Sequence, residues 1–101
     1  MIDADIAPHK ALANETRLRV LEWLKDPAAH FPNGAAEPAD LGVCVGLLQQ
    51  KAGVSASTMS VHLAILQRAG FVLSTRRGQW TYYRRDEARI RAFCRRLHDN
   101  L

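Results

Sequence analysis

Cysteine is scarce in this chain of 101 residues. Cys44 and Cys94 are the two present, with no CxxC spacing, which excludes a disulfide framework and leaves reduced thiols as the expectation. Long apolar runs are missing too: the stretch over 42–48 falls far short of the roughly 20 residues that cross a bilayer. The opening MIDAD carries acids where a secretory signal carries Lys or Arg, and no cleavable apolar region follows, so the chain is expected in the cytoplasm. Paired carboxylates, a nucleophile beside a base and a phosphate-cradling glycine motif are all lacking, which argues against an enzyme. No cofactor is expected.

What is present is one core's worth of apolar residues and a lopsided charge. With 48% apolar and 24% charged residues, positions 1–101 suffice for a single domain. Residues 1–61 hold five basic side chains (Lys10, Arg17, Arg19, Lys25, Lys51) against seven acidic ones, a balance of −2. Residues 62–101 hold nine, all arginine, against Asp86, Glu87 and Asp99, a balance of +6. Such asymmetry concentrates a positive field over the second half and points to a polyanionic partner.

Periodicity predicts a mainly α chain with about five helices and a two-stranded hairpin. A short helix over 6–13 tolerates Pro8 near its start. Asn14 is placed to cap a second helix, with Leu18, Leu21 and Leu24 at helical spacing and Val20 widening the stripe. Three prolines and a glycine make 27–41 a loop, longer than helix connections usually are, with His30 solvated in it. Asp40 is expected to cap a third helix over 42–52, in which Val45, Leu48 and Ala52 share a face and which Gly53 ends. Ser55 would cap a fourth, running to about Ala69, with Met59, Leu63 and Leu66 as its buried stripe. Beyond Gly70, residues 71–75 and 80–83 read as strands around a turn at 76–79. Asp86 then caps a last helix whose Ile90, Phe93, Cys94, Leu97 and Leu101 lie opposite Arg89, Arg91, Arg95 and Arg96, the arginine face being solvated.

Two short helices joined at a glycine turn and followed by a basic hairpin make a winged helix-turn-helix. A recognition helix needs small, hydrogen-bonding residues at its leading end so that its backbone can approach base edges, and its positive terminus suits phosphate. Ser55, Ala56, Ser57, Thr58, Ser60 and Val61 meet that need. Arg76 and Arg77, with Gln79, sit at the hairpin tip, from which they can reach the DNA backbone or minor groove. Trp80, Tyr82 and Tyr83 read as packing rather than as stacking platforms. The expected polyanion is therefore duplex DNA.

On these residues the chain resembles the ArsR/SmtB family of winged-helix repressors. Residues 10–18, KALANETRL, are similar to the family's opening segment KALADPTRLRIL; residues 53–63, GVSASTMSVHL, are similar to its recognition helix GVSQSTVSRHL. Residues 68–72, RAGFV, with 76–83, RRGQWTYY, are similar to its wing. The resemblance implies that His62 bonds backbone or phosphate. It also implies a homodimer joined through the first and last helices, here using Ile90, Phe93, Cys94 and Leu97. Such a dimer would repress from a near-palindromic operator until an inducer, often a metal or metalloid, releases it.

The sensing half of that pattern is incomplete. One sensor class carries ELCVCDL on the third helix; the matching run here, 43–48, keeps Cys44 but has Gly46 in place of the second thiolate. A soft metal needs several thiolates at about 2.3 Å. The family's other site uses Asp and His on the last helix, whereas Asp86 is followed by Ala88, with His98 and Asp99 further along. No metal site is expected. Cys44 and Cys94 read as small buried apolar residues. The alternatives are a redox-responsive repressor in which they pair, requiring Cα atoms about 4.4–6.8 Å apart, and a protein-interaction module using Ile90, Phe93 and Leu97. An unidentified small-molecule or redox inducer stays open.

Overall fold

The computed structural model describes residues 6–32, 34 and 39–101. In chain order these form α1 (Ile6–Leu12), α2 (Glu15–Lys25), α3 (Pro27–His30), a 3-10 turn at Ala39–Leu41, β1 (Val43–Cys44), α4 (Val45–Ala52), α5 (Ala56–Arg68), β2 (Val72–Arg77), β3 (Trp80–Arg85) and α6 (Glu87–Asn100). Three helices start where a short polar side chain takes up an orphan amide. Asn14 Oδ1 accepts from the Arg17 N–H, Ser55 Oγ from Thr58 and Asp86 Oδ1 from Arg89, each at 3.1 Å. Each such cap stabilises its helix by about 1 kcal/mol.

The segment before α4 departs from the sequence reading. Val43 and Cys44 do not begin a helix; they pair antiparallel with Tyr83 and Tyr82 and add a third strand to the hairpin, in the order β1-β3-β2. Asp40 lies in the 3-10 turn, so α4 starts three residues late, at Val45, without a side-chain cap. The expected loop also contains a helical turn, α3, with Pro27 at its start, and His30 is half-buried at its end rather than solvated. Residues 33 and 35–38 of that loop lie outside the described residues.

The core is built where three helical stripes meet the sheet. Leu48, Met59, Leu63, Leu66, Val20, Val43 and Val72 are fully buried, each stabilising the fold by roughly 1.5–3 kcal/mol as it leaves water. Met59, Leu63 and Leu66 are the expected stripe of α5. In α2 the stripe is Val20, Leu21 and Leu24; Leu18 faces outward, 49% exposed. Phe93 of α6 packs edge-on against Phe71 and His9, with centroids 5.2 Å away in both cases, joining the C-terminal helix to α1. No helix among the described residues is long and apolar enough to cross a membrane.

The hairpin register sorts its side chains onto two faces. Val72, Ser74 and Arg76 stand opposite Arg85, Tyr83 and Thr81; Leu73, Thr75 and Arg77 stand opposite Arg84, Tyr82 and Trp80. Buried Val72 makes the first set the core face, so Trp80 belongs to the outer one. It is 54% exposed, contrary to its expected role in packing. Tyr83 does pack against the core, and burial pushes its hydroxyl pKa up, keeping the phenol neutral.

Candidate nucleic-acid interface

The helix-turn-helix is α4, a glycine turn and α5. Gly53 ends α4 in the left-handed conformation (φ 70°, ψ 31°), its N–H bonding the carbonyls of Gln49 and Gln50, and Ser55 opens α5 two residues later. Ser55 Oγ also contacts Ser57 Oγ at 3.2 Å and donates to Thr58 Oγ1 at 2.9 Å. The amides of Ala56 and Ser57, which have no intrahelical partner, remain at the positive end of the helix.

Helical geometry fixes what α5 presents. With Met59, Leu63 and Leu66 buried, the opposite ridge is Ser57, Val61, Ala64 and Arg68, at i, i+4, i+7 and i+11, all exposed. Val61 is 58% exposed, a β-branched apolar residue facing water. Ser55, Ala56, Thr58 and Ser60 are also exposed beside the ridge, while His62 sits half-buried on its flank. Ala64 and Arg68 were not singled out by sequence reasoning, although the same periodicity that selects the buried stripe selects them.

Arg76 and Arg77 end β2, which runs two positions further into the wing than a turn at 76–79 implies, and Gly78 and Gln79 form the turn itself. Arg76 Nε donates to the Gly78 carbonyl at 3.2 Å, bracing the tip, and Arg76, Arg77 and Gln79 are all exposed. The wing is tied to the recognition helix: Gln67 Nε2 of α5 donates to Ser74 Oγ of β2 at 3.1 Å. Other arginines are spent on the fold. Arg84 donates to Thr75 Oγ1, and Arg85 bonds both carboxylate oxygens of Glu87 and the Leu21 carbonyl. Arg89, Arg91, Arg95 and Arg96 are exposed along α6, with the Arg89 guanidinium lying over Gly70.

His62 has an internal partner that the sequence did not reveal. Its Nδ1 lies 3.1 Å from Arg17 Nη1. A guanidinium only donates, so Nδ1 accepts and the neutral ring carries its proton on Nε2. Burial, then the Arg17 cation, lowers the pKa of the ring below the ordinary 6.5.

At the other end of the chain, the stripe on α6 is divided. Phe93 is only 7% exposed and belongs to the chain's own core, so it is not surface for a partner; Ile90 and Leu97 are half-buried. Cys94 is exposed and Cys44 only half-buried, both with free thiols, which corrects the expectation that they are buried. The reason is positional: Cys94 lies next to Phe93 on α6 and turns off the buried side, and Cys44 shares the outer sheet face with Tyr82. Among the described residues no three His, Cys, Asp or Glu side chains come together.

Comparison with known proteins agrees with this geometry. The helix-turn-helix domain family matches residues 12–75. The HTH-type transcriptional regulator YbzH of Bacillus subtilis is 46% identical over 82 residues, 80% of this chain and 82% of that protein. The transcriptional activator HlyU of Vibrio cholerae is 32% identical over 89 residues, 88% of this chain and 69% of that protein. Among solved structures, the homodimeric winged helix-turn-helix DNA-binding domain of Mb0332 from Mycobacterium bovis has a TM-score of 0.65 at 29% identity, covering 97% of this chain and 81% of that one. HlyU from Vibrio cholerae has a TM-score of 0.64 at 30% identity, over 93% and 87%. These relatives are transcriptional regulators, not enzymes. The Mb0332 domain is a possible ArsR-family regulator, in line with the resemblance read from the sequence, and this chain belongs to the helix-turn-helix transcriptional regulators.

Proposed function

We propose that two copies of this chain form a symmetric dimer that binds a near-palindromic operator and represses transcription in the cytoplasm. The observation that carries this reading is the outward ridge of α5. Its small residues begin at a capped, positive helix end, its opposite face is fully buried, and an arginine-tipped wing is bonded to the same helix. Ser55, Ala56, Ser57, Thr58 and Ser60 would bring the helix end to the major groove, with Val61 against a thymine methyl. Arg76, Arg77 and Gln79 would hold the flanking backbone or minor groove, and Arg68 would extend the contact along the ridge. Exposed Ile6 and Leu101, with Ile90, Leu97 and Cys94, supply the apolar surface for the second copy. Repression follows from the ArsR/SmtB resemblance; HlyU is named an activator, so the sign of regulation is to be read from where the operator lies relative to its promoter.

The test is selection of bound duplexes from a random-sequence pool, with the mass of the complex measured in solution. Two enriched half-sites centred about 10–10.5 base pairs apart, or a multiple of that, on a complex holding two chains are expected. No enrichment, or one half-site bound by one chain, overturns the proposal.

A further inference from the structure

The first helix and the recognition helix are far apart in sequence, and one side chain joins them. Arg17 stands in the first turn of α2, its own amide held by the Asn14 cap. Its side chain turns back on itself. Nε donates to the Ala11 carbonyl at 2.7 Å, Nη2 donates to the Lys10 carbonyl at 3.3 Å, and Nη1 meets His62 Nδ1 at 3.1 Å. Both carbonyls lie in the last turn of α1, at the negative end of that helix, which stabilises the cation there.

The guanidinium is a rigid planar fork, so its three bonds fix three acceptors at once. Two of those acceptors belong to α1 and the third to α5. A shift of α1 against α5 by about an ångström carries at least one of them out of hydrogen-bonding range. The bond to Nδ1 also settles which way the His62 ring faces and which nitrogen carries its proton. Apolar packing beneath α5 leaves rotation and sliding less defined than a directional bond does. The His62 link supplies that direction.

We propose that Arg17 is a positioning residue for DNA recognition, setting the stance of α5 by tying His62 to the C-terminal end of α1. This rests on the DNA-binding reading above. Because α1 is also an expected dimer element, the same link would pass a displacement at the dimer seam to the recognition helix.

Four variants test it on the duplex that the wild-type protein selects: Arg17→Met, His62→Gln, His62→Asn and the Arg17→Met/His62→Gln double. Asparagine places its amide oxygen near the position of Nδ1, whereas glutamine reaches toward Nε2. Arg17→Met and His62→Gln should each weaken binding about tenfold or more, the size of one lost charge-assisted hydrogen bond. Neither should change the salt slope, since no phosphate contact is removed. The double variant should be no weaker than the singles, and His62→Asn should bind about tenfold more tightly than His62→Gln. Equal affinities for the two His62 variants, additive losses, or a reduced salt slope for Arg17→Met would each overturn the proposal. Should Arg17→Met fail to fold, the two His62 variants decide alone. Nitrogen-15 shifts of the His62 ring in the free protein read the link without DNA, with the Nε2–H form expected in wild type and a mixture in Arg17→Met. A wild-type Nδ1–H ring removes the link itself. A wild-type chain that selects no duplex, but has the expected ring shifts, sinks the DNA reading and not the contact.

Discussion

Removing the two guanidiniums at the wing tip is the perturbation with the most quantitative consequence. Arg76 and Arg77 are exposed, and only Nε of Arg76 is committed, to the Gly78 carbonyl, so its terminal nitrogens remain for phosphate. Each phosphate contact contributes about 0.9 to the slope of log affinity against log salt. A symmetric dimer carries four such arginines, so Arg76→Ala/Arg77→Ala should reduce the slope by about 3.6 if all four reach the backbone. Between 50 and 200 mM salt, a fourfold change, wild type should then lose roughly 150-fold more affinity than the variant does. Fluorescence anisotropy on one labelled duplex across that range measures both slopes. Arg76→Lys/Arg77→Lys keeps the charges and should keep most of the slope, separating electrostatics from the bidentate geometry of arginine. Because both positions are exposed, stability should change by about 0.5 kcal/mol or less. Equal slopes for wild type and the alanine variant would refute the wing contact, however large the loss of affinity.

Other consequences are local. Ser55→Ala removes the oxygen that accepts the Thr58 amide and should cost about 1 kcal/mol, up to 2, in urea unfolding, with weaker operator binding as the leading turn of α5 frays. Ser57→Ala, on the outward ridge but not the cap, should alter base preference while leaving stability and the salt slope in place. His62 gives stability a pH dependence. Its pKa is lowered in the fold, so the unfolded chain takes up the proton first; the contribution is complete above 6.5 and is lost as pH falls below that, levelling off once the folded ring is protonated. The drop in urea midpoint between pH 7.5 and 5.5 should shrink in His62→Gln, and an unchanged drop would show that another group titrates.

The parts of the fold visible in the sequence are those whose cause is local. Ser55, Met59, Leu63 and Leu66 lie within twelve residues, so cap and stripe announce α5 together, and Asp86 does the same for α6. β1 is two residues long and exists because β3, some forty positions later, offers it a free edge; no pattern in Val43-Cys44 signals this. The tie from Arg17 to His62 spans 45 positions, and a half-buried arginine looks in sequence like any other cation. The outward stance of Trp80 is hidden in the sequence for a different reason. Hairpin alternation says that half the residues face outward but not which half, and that is decided by Val72 entering the core.

Two glycines that both have a positive φ should respond very differently to alanine, and the contrast tests the third strand. Gly53 has φ +70° and no atom within 4 Å of an added Cβ, so Gly53→Ala carries only the left-handed backbone penalty of about 1–2 kcal/mol. Gly42 has φ +97°, and there an added Cβ would overlap the Tyr83 carbonyl oxygen and come within 3.1 Å of Arg84 Cβ. Relief requires β1 to leave β3, because the obstruction is backbone and cannot rotate away. Val43 pairs with that same Tyr83 and is fully buried, so withdrawing β1 also opens the core beneath the root of the wing. Gly42→Ala should therefore cost at least about 2 kcal/mol more than Gly53→Ala, the range of a disrupted buried contact. Amide exchange should show the loss at Tyr82 and Tyr83, with α5 still protected. Urea midpoints that fall equally for the two variants would mean that β1 does not press on β3, and the wing would then be a two-stranded ribbon as its sequence suggests.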